Sequence, residues 1–442
     1  MNSLNNILFT PKNYHTLVVF RVLFGVITLF SSLRFFAKGW IEELYLTPTF
    51  HFKYFGFSWV EIASPSITYL LFTLMIISSL FILFGLFYRV ATISFFLLFT
   101  YFELIDLTNY LNHYYFVSLV ALLMIFLPAN INFSLDTRFG LVKMKQTVQA
   151  WTINSIKLQL AIVYIFAGIA KLNYEWLFQA QPLSIWLAPH TNLPIIGGLM
   201  DEKIVAYLFS FGGALFDLSV PFLLWNKSTR KMAYLLVVVF HILTSILFPI
   251  GVFPYVMILS TLIFFSSHFH ASILKLFGHK SQVSEPEKDL AIKSKKTVEI
   301  MVVAFFIFQF LFPFRYLLYS GDLFWTEQGY RFSWRVMLME KAGYASFKVF
   351  PYGDDRSITV QNSDFLTPQQ EKMMSTQPDF IIQYAHFIGK HYQVNDLIKP
   401  IVNVDSYVSI NGKGSQSYVK NDLDLMLIKN SLKPIDFLED YN

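Results

Sequence analysis

Lys171 closes the apolar run of "IVYIFAGIAKLNYEW". An ammonium group is expensive in such surroundings, which makes the residue a functional candidate by default. Tyr164 precedes it by seven residues, two helical turns, so both side chains share a helix face with Gly168 between them. The pattern suits a desolvated lysine neutral enough to act as a general base, a tyrosine hydroxyl beside it, and a glycine that leaves room for a flat ligand against the backbone. It suits equally well a lysine that snorkels to lipid headgroups.

A second constellation is "ELIDLTNYLNHYYF", with Glu103, Asp106, Asn109, Asn112 and His113. It falls on the same predicted side of the membrane as Lys171, so His113 and Lys171 are expected to meet in one pocket. Taken alone, an Asn-His pair there also fits a helix cap with a solvated imidazole. Asp217 in "GGALFDLSVPFLLW" and His241 in "VVVFHILTSILF" sit deep in apolar runs. Each fits either a proton path or a hydrogen-bonded buried pair. The "HFH" at 268–270 has no third ligand at metal-binding spacing, so no metal is expected. Walker loops, Rossmann fingerprints, Gly-x-Ser-x-Gly elbows and His-Glu-x-x-His are absent from the sequence, which leaves nucleotide-driven transport and hydrolase chemistry without support.

The elements that must position these residues follow from composition. With 442 residues, 55% hydrophobic and 18% aromatic, the chain is too apolar for an ordinary soluble enzyme. Residues 1–319 hold 22 Lys/Arg and 14 Asp/Glu, whereas the much shorter 320–442 holds 12 and 15, so charge density doubles near residue 320. The step predicts a transmembrane helical domain over 1–319 and a smaller α+β extramembrane domain over 320–442. The soluble part is slightly acidic, which argues against nucleic acid as a partner. Without cysteine the chain has no disulfide, catalytic thiol or thiolate-bound metal.

Apolar runs of spanning length predict about nine transmembrane helices: 16–33, 66–87, 90–105, 114–129, 153–172, 204–225, 232–249, 252–266 and 298–318. The third, fourth and eighth are short. The first run is long and lacks a small-residue cleavage site after it, so it is expected to be a retained anchor. Connections on the N-terminal side carry fourteen basic residues against five on the other. By the positive-inside rule the N-terminus is cytoplasmic and the C-terminal domain lies outside, in the periplasm of a bacterium or the ER lumen of a eukaryote. Residues 267–297 read as a flexible cytoplasmic loop. After residue 330, short β-branched runs ("SFKVF", "SITV", "VDSYVSI") surround a helix-like stretch over 368–392.

The blocks "FRVLFGVITL", "FGLFYRVAT", "NHYYF", "QLAIVYIFAGIAKLNYEW", "GGALFDLSVPFLL", "FHILTSILFPIGVFPYVMI" and "GYRFSW" together resemble the vitamin K-dependent gamma-glutamyl carboxylases and their bacterial homologues, which share the horizontally transferred transmembrane domain. The resemblance runs in order from about residue 15 to the end of the chain. It implies a lyase-type carboxylase that turns protein glutamate into gamma-carboxyglutamate, with reduced vitamin K (the hydroquinone), CO2 and O2 consumed and the quinone released as epoxide. It also implies a glutamate-containing peptide or protein substrate, and membrane lipid and quinone as further partners. Carried over residue by residue, the catalytic lysine falls on Lys171 and the active-site Asn-His pair on Asn112 and His113. A tyrosine implicated in epoxidation falls on Tyr164, and the buried histidine of the seventh span on His241. The chain departs from the vertebrate enzymes at Ala170, where they carry a lysine, and at Met339 or Glu340, where they carry a histidine. An alternative is a quinone oxygenase, epoxidase or quinone-binding membrane protein without peptide carboxylation. A structural or transport protein is a third class, one that calls for a polar stripe through several spans. A glutamate-binding groove would need cations, for which Arg331, Arg335 and Lys341 are the candidates.

Overall fold

The computed structural model describes residues 7–194, 196–279, 283, 295–352, 356–394 and 399–441. Most of the linker "HKSQVSEPEKDLAIKSKK" lies outside the described residues. Strand β1 (Pro11–Asn13) leads into α1 (His15–Ala37), followed by α2 (Pro65–Phe84), α3 (Tyr88–Ile105) and α4 (Asn112–Phe126). Strand β2 (Thr147–Gln149) pairs antiparallel with β1 and opens α5 (Ala150–Ala170). Then come α6 (Tyr174–Gln179), α7 (Lys203–Trp225), α8 (Arg230–Leu247), α9 (Phe253–Thr261), α10 (Ser267–Leu276) and α11 (Lys295–Leu311).

Local chemistry sets several of these boundaries. Helix α2 begins with Pro at its first position, where no amide is missed, and ends on Gly85 at φ 63°, a left-handed stop that glycine adopts without a Cβ penalty. Among the described residues seven helices are long and apolar enough to cross a membrane, or eight if a bent pair counts as one. Two of the nine expected spans differ in form. The fourth is a 15-residue helix, α4, about 22 Å long and short of a roughly 30 Å hydrocarbon core. The eighth is the short helical stretch Phe253–Phe264, and where that expected span ends the chain turns by 118° into Ser267–Leu276. The break has a cause, because the Ser266 side chain accepts from Phe269 N and starts a new helix. That new helix also occupies the first third of the stretch expected to be a cytoplasmic loop. His270 is spent within it, bonded to the Ser266 and Leu262 carbonyls and to Thr16.

The C-terminal part carries β3 (Lys341–Phe350), β4 (Ile358–Thr359), α12 (Pro368–Met374), α13 (Pro378–His391), β5 (Ile401–Ile410) and β6 (Gln416–Ser417). The sheet order is β4-β3-β5-β6 and every pairing is antiparallel. Strands β3 and β5 pair along their whole length, from Lys341 opposite Ile410 to Phe350 opposite Ile401. Alternation puts Ala345, Phe347 and Val349 with Val402, Val404 and Val408 on the buried face, against Phe380, Ile381, Tyr384 and Ile388 of α13. The stretch expected as one helix is two, because Thr367 and Gln370 form a capping box for α12 and Pro378 restarts the chain as α13. This core continues into the connections of the helical part through Phe52, Leu107, Trp176 and Leu187. Gln370 donates to the Asp106 carboxylate and the Phe50 carbonyl, so the cap is docked on the bundle by hydrogen bonds as well as apolar area.

Candidate active site

Lys171 caps the C-terminal end of α5 and is 7% exposed. Its Nζ lies 2.7 Å from Oδ2 of Asp217 on α7, with the Ala167 carbonyl at 3.4 Å and the Trp176 ring centre at 5.4 Å. Both partners are almost sealed from solvent, with side chains 9% and 7% exposed. The helices come this close because of Gly168. A Cβ there would stand 2.7 Å from Leu218 Cγ and 2.9 Å from Leu218 N, so the glycine admits the neighbouring helix. The expected room for a flat ligand at Gly168 is therefore filled by α7, and the same contact presents Asp217 to Lys171.

Tyr164, two turns below Lys171, does share its face: both line a small cavity of about 100 Å³ together with Asp217 and His241. The Tyr164 hydroxyl is 3.1 Å from His241 Nε2, and His241 Nδ1 is buried without a partner. Much of the remaining wall is aromatic, from Trp176, Trp186, Phe209, Phe240, Phe248 and Phe253, with aliphatic side chains and Thr244 between them. Asp217 and His241 are thus not a pair with each other; each is the partner of one residue on α5.

His113 and Lys171 do not meet in one pocket. Asn112 and His113 line a larger cavity of about 830 Å³ between the bundle and the C-terminal cap. The two cavities share Ile250, Phe253, Val336 and Met337 as common wall. Phe253 is the divider, with its ring centre 5.6 Å from that of His113 and 5.8 Å from that of His241. Asn112 does not cap α4, whose N-cap is Leu111 with no side-chain bond. Instead its Nδ2 donates to the Arg335 carbonyl at 2.9 Å and its Oδ1 accepts from the Tyr110 hydroxyl at 3.0 Å. The Arg335 segment is thereby fixed over the end of the span.

The three cations expected to face a groove all line the larger cavity, and two of them are already neutralised. Arg331 bonds both oxygens of Asp379 at 2.7 and 3.2 Å. Burial works against its charge, but the Asp379 carboxylate more than offsets this and raises the pKa. Lys341 sits 2.9 Å from Glu327 and is pulled below its ordinary value by burial, which the Glu327 charge only partly opposes. Among the described residues Arg335 has no carboxylate partner and its Nε no hydrogen bond; its guanidinium lies 4.4 Å from the Tyr316 ring centre. Sequence reasoning missed two contributors. Asp217 was visible as a buried acid but not as the partner of Lys171, since no spacing rule links positions on different helices. Arg34, at the end of the first span, lines the larger cavity and carried no signal in the sequence beyond its place near a membrane boundary.

Among the described residues, no group of three His, Cys, Asp or Glu side chains is arranged to hold a metal ion. The fold and site together define a bundle of helices long and apolar enough to cross a membrane, with a sealed lysine-aspartate pair beside aromatic side chains, roofed by an α+β cap over a large cavity. Residues 9–269 match the HTTM domain, and residues 294–442 match the vitamin K-dependent gamma-carboxylase lumenal domain. The chain therefore belongs to the vitamin K-dependent gamma-glutamyl carboxylase family. No solved structure matches it.

Proposed function

We propose that the chain carboxylates protein glutamate to gamma-carboxyglutamate and couples this to oxygenation of a reduced naphthoquinone to its epoxide. The observation that carries the reading is the sealed Lys171–Asp217 pair at the foot of an aromatic cavity that adjoins a larger one under the cap. The residues fit a flat, apolar ligand with two polar oxygens. Walls of Phe and Trp would pack its rings, while Lys171, Tyr164 and the unpartnered Nδ1 of His241 are the polar groups available to its oxygens. When bound, reduced vitamin K would supply, with O2, the base strong enough to remove a glutamate γ-proton.

This chain's own residues have narrower tasks. Lys171 takes a proton from the ligand, for which its Nζ must first be free of its own; Asp217 Oδ2, at 2.7 Å, is the atom to which that proton passes. The Tyr164–His241 pair orients the ligand from the opposite side of the small cavity. Asn112 holds the roof segment that separates the two cavities, and His113 faces the larger one beside Phe253 as a second acid-base group. Water is excluded by the aromatic walls, which strengthens each polar contact inside. In this reading residues 1–319 serve the quinone from the lipid side and residues 320–442 present the peptide from outside. The N-terminus is then cytoplasmic and the cap periplasmic or lumenal.

The test is to incubate purified protein in lipid nanodiscs with vitamin K hydroquinone, O2, labelled bicarbonate and a short glutamate peptide, following epoxide and fixed label in parallel. Both products are expected, and both should vanish in Lys171→Ala. Epoxide without label, across a panel of glutamate peptides, would replace the carboxylase reading with that of a quinone oxygenase.

A further inference from the structure

Five basic side chains line the larger cavity: Arg34, Arg331, Arg335, Lys341 and Lys372. Arg331 and Lys341 are held by Asp379 and Glu327, and Lys372 is exposed. Among the described residues that leaves Arg34 and Arg335 as the arginines of the cavity wall without a carboxylate partner, and Arg335 is already laid over Tyr316. Arg34 is half-buried at the outer end of α1, its guanidinium carbon 4.7 Å from the Trp40 ring centre. It forms no ion pair among the described residues. Its Nη2 is 3.9 Å from where a Cβ on Gly251 would stand, so the group lies over bare backbone rather than against a side chain. Arg34 and His113 line the same cavity. A guanidinium withdrawn from water beside a cavity favours an anion, and its planar fork matches a carboxylate in two parallel bonds.

We propose that Arg34 receives the γ-carboxylate of the substrate glutamate and holds it on the His113 side of the larger cavity. The inference rests on the carboxylation reading above and adds a residue to it. The chemistry needs such a group. When the γ C–H bond breaks, the proton goes to the base generated from reduced quinone and O2, and the electron pair spreads onto the two carboxylate oxygens. That pair then forms the new C–C bond to CO2. A cation bonded to both oxygens binds most tightly at the moment their charge is greatest, so it lowers the barrier as well as anchoring the peptide. Arg34 is then a catalytic residue in the sense of touching the substrate, and a specificity-determining one, since a glutamine side chain offers no charge.

The full-length protein in nanodiscs of neutral phosphatidylcholine is compared with Arg34→Gln and Arg34→Lys in two assays. One is equilibrium binding of a fluorescent glutamate peptide and its glutamine counterpart. The other is release of tritium from the γ-position of the glutamate peptide. Wild type is expected to prefer glutamate over glutamine by about tenfold or more, the order of one charge-assisted hydrogen bond. Arg34→Gln should lose that preference and slow tritium release at saturating peptide by about a hundredfold, the size seen for loss of one oxyanion donor. Arg34→Lys, which keeps charge but not the fork, should fall between and guards against a folding artefact. Unchanged preference and release in both variants would overturn the proposal while leaving the carboxylase reading intact. An Arg34-dependent glutamate preference without tritium release in wild type would sink the carboxylase reading and keep the anion site. If the variants retain both properties and lose only binding to anionic lipid, Arg34 belongs to a headgroup and the proposal fails.

Discussion

Replacing Asp217 with Asn preserves the side-chain shape and removes the only counter-charge bonded to Lys171. At 2.7 Å and an effective dielectric constant of about 20, the direct attraction is about 6 kcal/mol. Desolvation of both groups takes back much of this, and what is measured on breaking a buried pair from one side is about 3–5 kcal/mol. The alternatives left to Nζ are weak, namely the Ala167 carbonyl at 3.4 Å and the Trp176 ring at 5.4 Å. Asp217→Asn and Lys171→Met are each expected to destabilise by about 3–5 kcal/mol, because each strands the other group in an apolar wall. The double variant Lys171→Met/Asp217→Leu should return to within about 1 kcal/mol of wild type, since no charge is then buried, although it cannot catalyse. Equilibrium unfolding in mixed micelles, read by tryptophan fluorescence, of these variants together with Asp217→Leu gives the complete cycle. Single-variant losses that simply add in the double variant would refute the pairing, as would losses below about 1 kcal/mol, the level of an exposed ion pair.

Three further outcomes are expected. Gly168→Ala drives a methyl into Leu218 and should destabilise by about 1–3 kcal/mol, with a parallel loss of activity as Lys171 and Asp217 separate; an unchanged unfolding midpoint would show that the helices have slack. Asn112→Ala cuts the bond to the Arg335 carbonyl and leaves that carbonyl without its donor, which should cost about 1–3 kcal/mol and raise protease sensitivity near Val336 more than elsewhere. His51, in the outer connection and bonded to the Tyr45 carbonyl, is held below its ordinary value by burial, against the opposing charge of Asp106. A histidine with a depressed folded pKa contributes stability that is complete above about 6.5, its unfolded value, and lost as pH falls toward the folded one. Unfolding free energy should therefore decline below about pH 6.5, with a slope of at most about 1.4 kcal/mol per pH unit from this group. His51→Gln should remove that component, and an identical slope in the variant would assign it elsewhere.

Much of the helical part was legible because a helix long and apolar enough to cross a membrane is recognisable by its length and composition. Periodicity placed Tyr164 and Lys171 on one face, which the shared cavity bears out. The strand runs were equally visible, since alternation along β3 and β5 is written residue by residue. Where the bundle turns irregular the sequence was a poorer guide. The bend at Ser266 and the division between α12 and α13 depend on side-chain caps a few atoms wide, inside stretches whose average composition stays helical.

The site itself divides along the same line. Residue type and neighbourhood alone singled out Lys171, Asn112, His113, Tyr164 and His241, because a polar group in an apolar run is costly wherever it ends up. Which group faces which was beyond the chain order. Asp217 lies 46 positions from Lys171 and reaches it because Gly168 lets two helices close up. His113 and Lys171 line different cavities, and Phe253, which lines both, stands between His113 and His241. Of the cations suited to a groove, two are cancelled by acids on other elements, and Arg34 from the first long helix lines the same cavity. Burial cost is a property of one residue and its neighbours in sequence. Pairing and neutralisation are properties of distances between elements, and those distances exist only once the helices have packed.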